Sequence, residues 1–453
     1  MVILWAVFAN MSAAQTGLQN SVVTEAELIA PLDAAAGQGF GYRVAVDDSD
    51  QWLAVSAYLD DVSGFASGSV YLFKKNQNGQ WSQYQKLSAD DGTSNDVFGS
   101  SIALSSDTLL VGAPFDSDNG VDSGSAYVFI LNTEGQWVQQ QKLLPTDGMQ
   151  QAGFGNSVAI SSSGLLVAAS TDNAAGENSG AVYVFQYDAN ASLWLQSQKL
   201  TAADTASEDN FGYSLSAFDS ITVIGALLSD AQGFESGAAY VFSANASGVW
   251  SETQKLLPSD GGVNGLFGAG VALDSQLLAV GALGEGDGVT SGAVYLYEKN
   301  LQGTWQQVQK VSPSDGGLGD AFGLSIALRP PYMAVGAYQN NDPVSNTGAI
   351  YSFVQGENQT WSQQVKLGIT DPESDDWLGI SVALHSDQLI AGALLDDVSG
   401  AESGAVYGYS FPLIVSPTLN VPVMHWGGII LLWSILIYAV QSTLSRRRRG
   451  NNY

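Results

Sequence analysis

Three aspartates in the loop sequence DSDNGVDSG are spaced as calcium ligands often are. Asp116, Asp118 and Asp122 lie at alternating positions of this loop, and Gly120 stands between them. Calcium takes about six to eight oxygen ligands, mainly carboxylates and carbonyls, from a loop that glycine allows to bend. We therefore predict calcium as a cofactor at this loop. The alternative is a solvated turn in which the side chains bond their own backbone.

The amino-acid composition excludes several other kinds of functional site. The chain of 453 residues has no cysteine and two histidines, His385 and His425. Disulfides, thiolate nucleophiles and thiolate metal sites are therefore excluded. Because His425 lies in an atypical C-terminal segment, a centre built from several histidines is excluded as well.

The elements that carry these residues repeat along the chain. The stretch FGSSIALSSDTLLVGAP at residues 98–114 returns six more times, in places in weaker form, at intervals of 55 to 58 residues. A second landmark, SGxxY (TGxxY in the sixth unit), keeps the same interval. The FG glycines are Gly41, Gly99, Gly155, Gly212, Gly268, Gly323 and Gly379, and the landmark tyrosines are Tyr71, Tyr127, Tyr183, Tyr240, Tyr295, Tyr351 and Tyr407. Such repetition indicates an array of structural units rather than a phosphate-binding loop.

Each unit contains four β-like runs separated by Gly, Asp, Ser and Asn turn residues. In the second unit the runs cover residues 101–104, 109–113, 125–131 and 137–144. The first two have small apolar side chains, which suit strands crowded around an axis, and the fourth is rich in glutamine. We predict an all-β fold, a seven-bladed β-propeller of four-stranded blades over residues 21–411.

The fourth run of each complete unit carries one lysine and has a tryptophan at or near its start. We interpret the lysines as protection of an exposed outer strand against pairing with other chains, with a ring of binding residues as the alternative. The tryptophans are predicted to pack between blades rather than to stack on sugars. The lysines are Lys86, Lys142, Lys199, Lys255, Lys310 and Lys366, and the tryptophans are Trp81, Trp137, Trp194, Trp250, Trp305 and Trp361.

The seventh unit has no fourth run, and the chain start supplies a replacement. The sequence ELIAPLD near residues 25–31 aligns with QKLLPTD at the end of the second unit. We predict that this segment completes the last blade, so that the N-terminal and C-terminal strands pair and close the ring. Closure removes the exposed ends of the array.

These motifs carry a family resemblance. FG…VGAP followed by SGxxY at this interval resembles the FG-GAP repeat of integrin α-subunit heads and of many bacterial surface proteins. The resemblance implies a seven-bladed propeller that serves in adhesion or ligand binding. Integrin-type repeats often carry a DxDxDG calcium loop before the GAP strand. The hairpins at that position here are short and lack the pattern, so those calcium sites are not transferred to this chain.

Two functional classes follow for such a propeller. The first is a non-enzymatic binding or adhesion protein, with a glycan-binding lectin as one form. The second is a carboxylate-based hydrolase such as a propeller glycosidase, which needs two carboxyl groups about 5–9.5 Å apart. Nearly every acid recurs in several units, and the exceptions are Asp47, Asp48 and Asp50 in the hairpin DDSD of the first unit. Because catalysis needs singular residues, we predict that the chain is not an enzyme.

Both chain ends indicate export. Residues 1–14, MVILWAVFANMSAA, resemble a signal peptide cleaved after Ala14, although the usual basic start is missing. Residues 412–425 read as a linker, and residues 426–445 are apolar and long enough for a transmembrane helix. Residues 446–453 form a basic tail. Its arginines Arg446, Arg447, Arg448 and Arg449 are predicted to stay in the cytoplasm as a membrane stop.

The segment VPVMHWGG at residues 421–428 is similar to the sorting motif of the IPTL-CTERM class. The shared residues are Pro422, Trp426 and Gly427, whereas Val423 and Met424 replace Thr and Leu. The similarity implies processing by a membrane protease of the exosortase type. We expect an inner-membrane anchor with the propeller outside the cytoplasm, and release to the cell surface or the medium if the tail is cleaved.

Charge restricts the partners. The four tail arginines leave 11 basic against 44 acidic residues, a formal charge near −33. Such a field repels nucleic acid and anionic membrane surfaces. We predict no nucleic-acid partner, and we expect an extracellular protein, a matrix polymer or a glycan.

Overall fold

The structure, a computed structural model, describes residues 27–284, 291–386 and 388–410. The predicted signal peptide, linker, membrane helix and basic tail lie outside the described residues. So do the sorting-motif residues Pro422, Trp426 and Gly427 and the arginines at 446–449. Within the described part of the chain, no helix is long and apolar enough to cross a membrane.

The described chain folds into seven antiparallel sheets of four strands each. A short strand, β1 (Glu27–Ile29), precedes the first blade. Blade 1 contains β2 (Phe40–Val46), β3 (Trp52–Ala57), β4 (Ser69–Lys75) and β5 (Trp81–Leu87), and blade 2 contains β6 (Ser101–Ser105), β7 (Thr108–Ala113), β8 (Ser125–Leu131) and β9 (Trp137–Leu143). Blade 3 contains β10 (Ser157–Ser161), β11 (Gly164–Ala169), β12 (Ala181–Asp188) and β13 (Leu193–Leu200). Blade 4 contains β14 (Phe211–Phe218), β15 (Ile221–Ala226), β16 (Ala238–Ala244) and β17 (Trp250–Leu256).

The remaining blades follow the same order. Blade 5 contains β18 (Phe267–Leu273), β19 (Leu277–Ala282), β20 (Ala293–Lys299) and β21 (Trp305–Val311). Blade 6 contains β22 (Ile326–Arg329), β23 (Tyr332–Ala337), β24 (Ala349–Gln355) and β25 (Trp361–Leu367). Blade 7 contains β26 (Leu378–Leu384), β27 (Gln388–Ala393) and β28 (Ala405–Ser410), and β1 is its fourth strand. The first strands of consecutive blades lie side by side around the axis. The seven-bladed all-β prediction is confirmed.

The predicted closure is observed. Strand β1 pairs antiparallel with β28, with Leu28 opposite Tyr407, in the register that joins Lys86 to Tyr71 in blade 1. Ile29 is buried in a cluster with side chains of blades 1 and 7, among them Phe40. The last blade is thus built from both ends of the described chain.

The two sequence landmarks recur at one interval because they touch each other. The SGxxY glycine of one blade forms a bridge with the FG phenylalanine of the next, as Gly124 does with Phe154. The Phe154 N–H donates to the Ser123 carbonyl at 3.0 Å, and the Phe154 ring meets the Tyr183 ring edge-on at 5.4 Å. The motifs therefore define the contact between blades as well as the strands within each blade.

Glutamines of the outer strands also join neighbouring blades. The side-chain amide of Gln85 donates to the Trp137 carbonyl at 2.8 Å and accepts from the Trp137 N–H at 3.0 Å. The same pair of hydrogen bonds recurs at four further junctions. At the closing junction Glu27 replaces the glutamine and accepts from the Trp81 N–H at 3.2 Å. This explains the glutamine-rich fourth run.

The tryptophans lie between blades, as predicted. Five of the six that begin the outer strands are at most 8% exposed. Trp137 packs in one cluster with Trp52, Val70 and Leu72 of the preceding blade. Trp194 is partly exposed.

Candidate functional site

Two of the three predicted calcium ligands lie together. Asp116 and Asp118 both contact the ammonium group of Lys142, with Oδ2–Nζ distances of 2.8 and 2.7 Å. Asp122 is held in the loop by its backbone, since its N–H donates to Ser117 Oγ at 3.1 Å and its carbonyl accepts from the Gly153 N–H at 3.3 Å. The cation that this loop contacts is therefore the lysine of the neighbouring outer strand.

Within the described residues, no group of three or more His, Cys, Asp or Glu side chains is arranged to hold a metal ion. Asp116 also accepts a hydrogen bond from the Tyr127 hydroxyl at 3.0 Å, so its Oδ2 atom is already shared. Calcium would have to compete with the Lys142 ammonium for the same carboxylates. The calcium site stays a prediction, and we expect the Lys142 ammonium to weaken calcium binding there.

The calcium prediction can be tested by comparing the native protein with a variant that lacks the Lys142 charge. Millimolar calcium should raise the melting temperature through ligand linkage, and a chelator should reverse the rise. Lys142→Met removes the competing charge, so we expect a larger calcium-dependent rise in this variant. Calorimetry would measure binding to both proteins. An absence of heat with both would identify the loop as a solvated turn.

The contacts of Lys142 recur in six blades. Each outer-strand lysine contacts the aspartate that follows the outer strand of the preceding blade, with Nζ–O distances of 2.6 to 2.9 Å. Each Nζ also lies 4.8 to 5.8 Å from the ring centroid of the landmark tyrosine in its own blade. We call this arrangement the lysine clamp. The aspartates are Asp33, Asp91, Asp147, Asp204, Asp260 and Asp315.

The lysine clamp corrects the interpretation of these lysines as an exposed edge. Their side chains are between 15% and 28% exposed, and each ammonium group contacts a carboxylate of the preceding blade. Four of these ammonium groups also contact a carboxylate of their own blade, those of Lys86, Lys142, Lys199 and Lys366. Burial alone would raise the pKa of Asp91, but hydrogen bonds from Lys142 and Tyr127 outweigh it and lower that pKa. The lysines therefore join neighbouring blades. Because their ammonium groups are used in these ion pairs, they do not form a ring of binding residues.

Blade 7 has two buried acids near its landmark tyrosine, Tyr407, but no lysine at the clamp position. Leu28 stands in the lysine register opposite Tyr407. Asp376 and Asp396 are 2% and 3% exposed, and neither forms an ion pair within the described part of the chain. Burial, followed by the charges of Asp396 and Glu373, raises the pKa of Asp376 to about 6. Blade 7 thus holds a buried carboxylate, Asp396, whose counterparts Asp60, Asp116 and Asp172 are paired with lysines in blades 1 to 3.

Replacing Leu28 with lysine should complete the clamp in blade 7. In the native protein the raised pKa of Asp376 means that the folded state binds its proton more tightly than the unfolded chain. Stability is therefore lost as pH rises from 3.8 to about 6, by up to about 3 kcal/mol. Leu28→Lys should recover about 1–2 kcal/mol at pH 7 and little at pH 4.

Leu28→Met is the matched control, because it is uncharged and Leu28 is 47% exposed. Urea unfolding of both variants at pH 4 and pH 7 measures the effect. Equal stability of the two variants at pH 7 would show that the Asp376 charge is satisfied without a lysine.

Residues that break the repeat gather at one end of the axis. Tyr42 stacks on Tyr58 with ring centroids 4.2 Å apart, and the Arg43 guanidinium lies 4.1 Å from the Tyr42 centroid. Burial is the main cause that raises the pKa of Tyr213 and of Tyr338, and at Tyr213 the positive charge of Arg43 opposes the rise. Because these residues follow the FG pairs or the GAP strands of blades 1, 4 and 6, they lie at one end of the axis, in a group that we call the axial mouth: Tyr42, Arg43, Tyr58, Tyr213 and Tyr338.

Sequence reasoning missed the axial mouth, although a signal was present. Tyr42 and Tyr213 follow an FG pair directly, where other blades have residues such as Ser100 and Ala269. Tyr58 and Tyr338 follow the GAP strand, where Pro114 stands in blade 2. Departures from the repeat at equivalent positions of several blades indicate a shared place near the axis.

Comparison with known proteins fits this architecture. A family model described as FG-GAP repeat matches residues 23–73, 81–129, 137–185, 194–242, 250–297, 305–353 and 361–409. The chain belongs to the FG-GAP repeat family. The matched segments account for all seven blades.

Similarity to individual proteins covers only part of this chain and part of each relative. Integrin alpha-7 of Mus musculus is 31% identical over 132 residues, 26% of this chain and 11% of the integrin. Integrin alpha-2 of Bos taurus is 30% identical over 179 residues, 34% of this chain and 15% of the integrin. The FG-GAP chain therefore matches a small fraction of the length of these relatives. The periplasmic gluconolactonase of Pseudomonas aeruginosa superposes with a TM-score of 0.50 at 16% identity, over 73% of this chain and 86% of that one, and shares the fold.

The singular acids of this FG-GAP propeller have structural partners. Asp47 accepts from the backbone N–H groups of Gln51 and Trp52 at 2.8 and 2.7 Å and so shapes its hairpin. Asp50 pairs with Arg329 at 2.9 Å and lies 3.4 Å from His385 Nε2. These two contacts join blade 1 to blades 6 and 7. Asp48 is exposed. The described contacts give Asp47 and Asp50 roles in holding hairpins.

Proposed function

We propose that this FG-GAP chain is a non-enzymatic binding propeller that works outside the cytoplasm. One observation supports this most: the repeated acids and lysines are used in the clamps, whereas the residues that depart from the repeat form the axial mouth. A binding protein needs such a singular surface on a rigid frame. Its partner is an extracellular protein, a matrix polymer or a glycan, and the integrin similarity is consistent with adhesion.

The alternative is a carboxylate-based hydrolase. This class needs a proton donor and a nucleophile or base facing each other across a substrate. The acids that break the repeat, Asp47 and Asp50, are instead hydrogen-bonded to backbone or paired with Arg329. The likeness to a gluconolactonase concerns the fold. Testing the chain on chromogenic glycosides and on sugar lactones settles the choice, since turnover lost in Asp50→Asn would favour the enzyme.

The binding proposal is tested with the full chain on glycan and matrix-protein arrays. Saturable binding to one class of partner, retained after Asp50→Asn, supports it. Failure to bind any extracellular polymer or protein, together with hydrolytic turnover, would overturn it. A lectin is the specific case in which the bound partner is a glycan.

The location of the chain is a proposal of its own. We propose export, anchoring in the inner membrane through residues 426–445 and removal of the tail at the motif around Pro422 and Trp426. Replacing both of these residues should then trap full-length protein in the membrane fraction. Mature protein that still carries the arginines at 446–449 would disprove processing. A full-length chain that stays soluble in the cytoplasm would also disprove the anchor.

A further inference from the structure

We propose that the axial mouth binds a sugar residue that carries a carboxylate, a uronate, with Arg43 as the group that receives the carboxylate. The proposal deepens the binding function proposed above and rests on it. Four features of the axial mouth support it: a dedicated exchange of residues in blade 1, a fixed guanidinium, the absence of nearby acids among the residues that the structure describes, and the aromatic rings at the same end of the axis.

Arg43 is accommodated by a second change in its own blade. Five other blades have serine at the Arg43 position, and three of these serines, Ser101, Ser214 and Ser325, each donate to an FG glycine carbonyl of the next blade at 2.7 Å. The facing GAP position is glycine in five other blades, but it is Ser56 in blade 1. Ser56 Oγ accepts from the Arg43 N–H at 2.9 Å. The Ser/Gly pair of blades 2, 4, 6 and 7 is thus replaced in blade 1 by an Arg/Ser pair that is itself hydrogen-bonded.

The Arg43 guanidinium is held before any ligand arrives. Because Tyr58 lies 4.2 Å from the Tyr42 centroid and the guanidinium 4.1 Å from it, the two cover opposite faces of the Tyr42 ring. The guanidinium donates to the Tyr42 carbonyl at 3.0 Å and to the Tyr42 hydroxyl at 3.4 Å. A guanidinium has five N–H donors in a planar fork that matches a carboxylate. Stacking fixes the fork and leaves donors for a ligand.

The axial mouth is locally positive within an acidic protein. Arg43 forms no ion pair with any residue that the structure describes, whereas Arg329 pairs with Asp50. Burial raises the pKa of Tyr58 and Tyr213, and the Arg43 charge opposes this in both. Among the described residues, no carboxylate contributes to either shift. A formal charge near −33 repels long polyanions. The charge pattern therefore suits a single carboxylate presented at the axis.

Aromatic rings at the same end of the axis favour a sugar as the carrier of that carboxylate. Tyr213 is 39% exposed, and Tyr338 is partly exposed beside Trp377, whose ring meets it edge-on at 5.5 Å. Aromatic rings offer flat apolar faces with polar tips, which fit the C–H face and the hydroxyls of a pyranose. Together with Arg43 they provide both contacts that a uronate requires.

The test uses the full chain with sodium glucuronate as the probe, and calorimetry or saturation-transfer NMR as the readout. The double variant Arg43→Ser/Ser56→Gly restores the pair found in other blades, so it should fold with an unchanged melting temperature. We expect glucuronate to bind the native chain, and binding to weaken by at least about tenfold in the double variant. Methyl glucoside should bind at least about tenfold more weakly than glucuronate to the native chain.

Three outcomes would overturn the proposal. Undiminished glucuronate binding in the folded double variant would exclude Arg43. Equal binding of methyl glucoside would exclude the carboxylate, and equal binding of N-acetylaspartate would exclude the sugar. If the double variant still binds its partner on the glycan and matrix-protein arrays, the general binding function stands even though the uronate proposal is wrong. The two proposals can therefore be distinguished.

Discussion

Replacing Gly124 with alanine should destabilise the propeller by about 3–5 kcal/mol, a large part of the stability of a typical domain. Gly124 has a φ of +82°, and a Cβ atom there would overlap the backbone of Phe154 in the next blade. Phe154 has no room to retreat, because its side chain is fully buried and its N–H donates to Ser123 at 3.0 Å. The urea midpoint of unfolding measures the loss.

Gly319→Ala separates the two causes of that loss. Gly319 has a φ of +80°, close to that of Gly124, but no atom lies within 4 Å of the added Cβ. This control keeps the cost of left-handed backbone, about 1–2 kcal/mol, and lacks the overlap. Equal losses in the two variants would show that the SGxxY glycine is required for its backbone angle alone, and that blade contact tolerates a methyl group.

The fold could be predicted from the sequence because the motifs are contacts between neighbours. The FG and SGxxY motifs touch at the junctions between blades, as Phe154 and Gly124 do. The same contact therefore requires the same residues at the same interval in each repeat. Closure was predictable for the same reason, since residues 25–31 supply the run that the seventh unit lacks. Strand ends differ from the predicted runs by one residue in blade 2, as at Ser105 and Leu143.

The role of the outer-strand lysines could not be predicted. Lys142 meets Asp91 of the preceding blade, and a position 51 residues away carries no local pattern that marks it as an ion-pair partner. In the sequence alone the polar run therefore indicates protection of an exposed edge, whereas its lysines form ion pairs with the preceding blade. The axial mouth escaped prediction for a related reason. Tyr42 and Tyr213 occupy equivalent positions three repeats apart, and Tyr338 lies at a different position of the repeat, so their proximity depends on the closure of seven blades around one axis.

Deleting residues 21–33 should remove the closure and destabilise the ring by about 5 kcal/mol or more. The deletion takes away β1 and leaves β28 as an unpaired edge. It exposes the pocket of Ile29, which is 3% exposed in the native chain. It also removes the hydrogen bond from the Trp81 N–H to Glu27 and the 2.7 Å ion pair between Asp33 and Lys86.

Two point variants show whether the loss comes from closure rather than from shortening the chain. Ile29→Ala leaves the strand in place and empties its buried pocket, so it should cost about 2–4 kcal/mol. Leu28→Ala changes the adjacent side chain, which is 47% exposed, and should cost well under about 1 kcal/mol. Adding a synthetic peptide of residues 21–33 to the deleted protein should restore part of the urea midpoint, because the edge of β28 is then paired again. If the deleted protein unfolds at the native midpoint, the ring holds without β1, and the pairing of Leu28 with Tyr407 contributes nothing to stability.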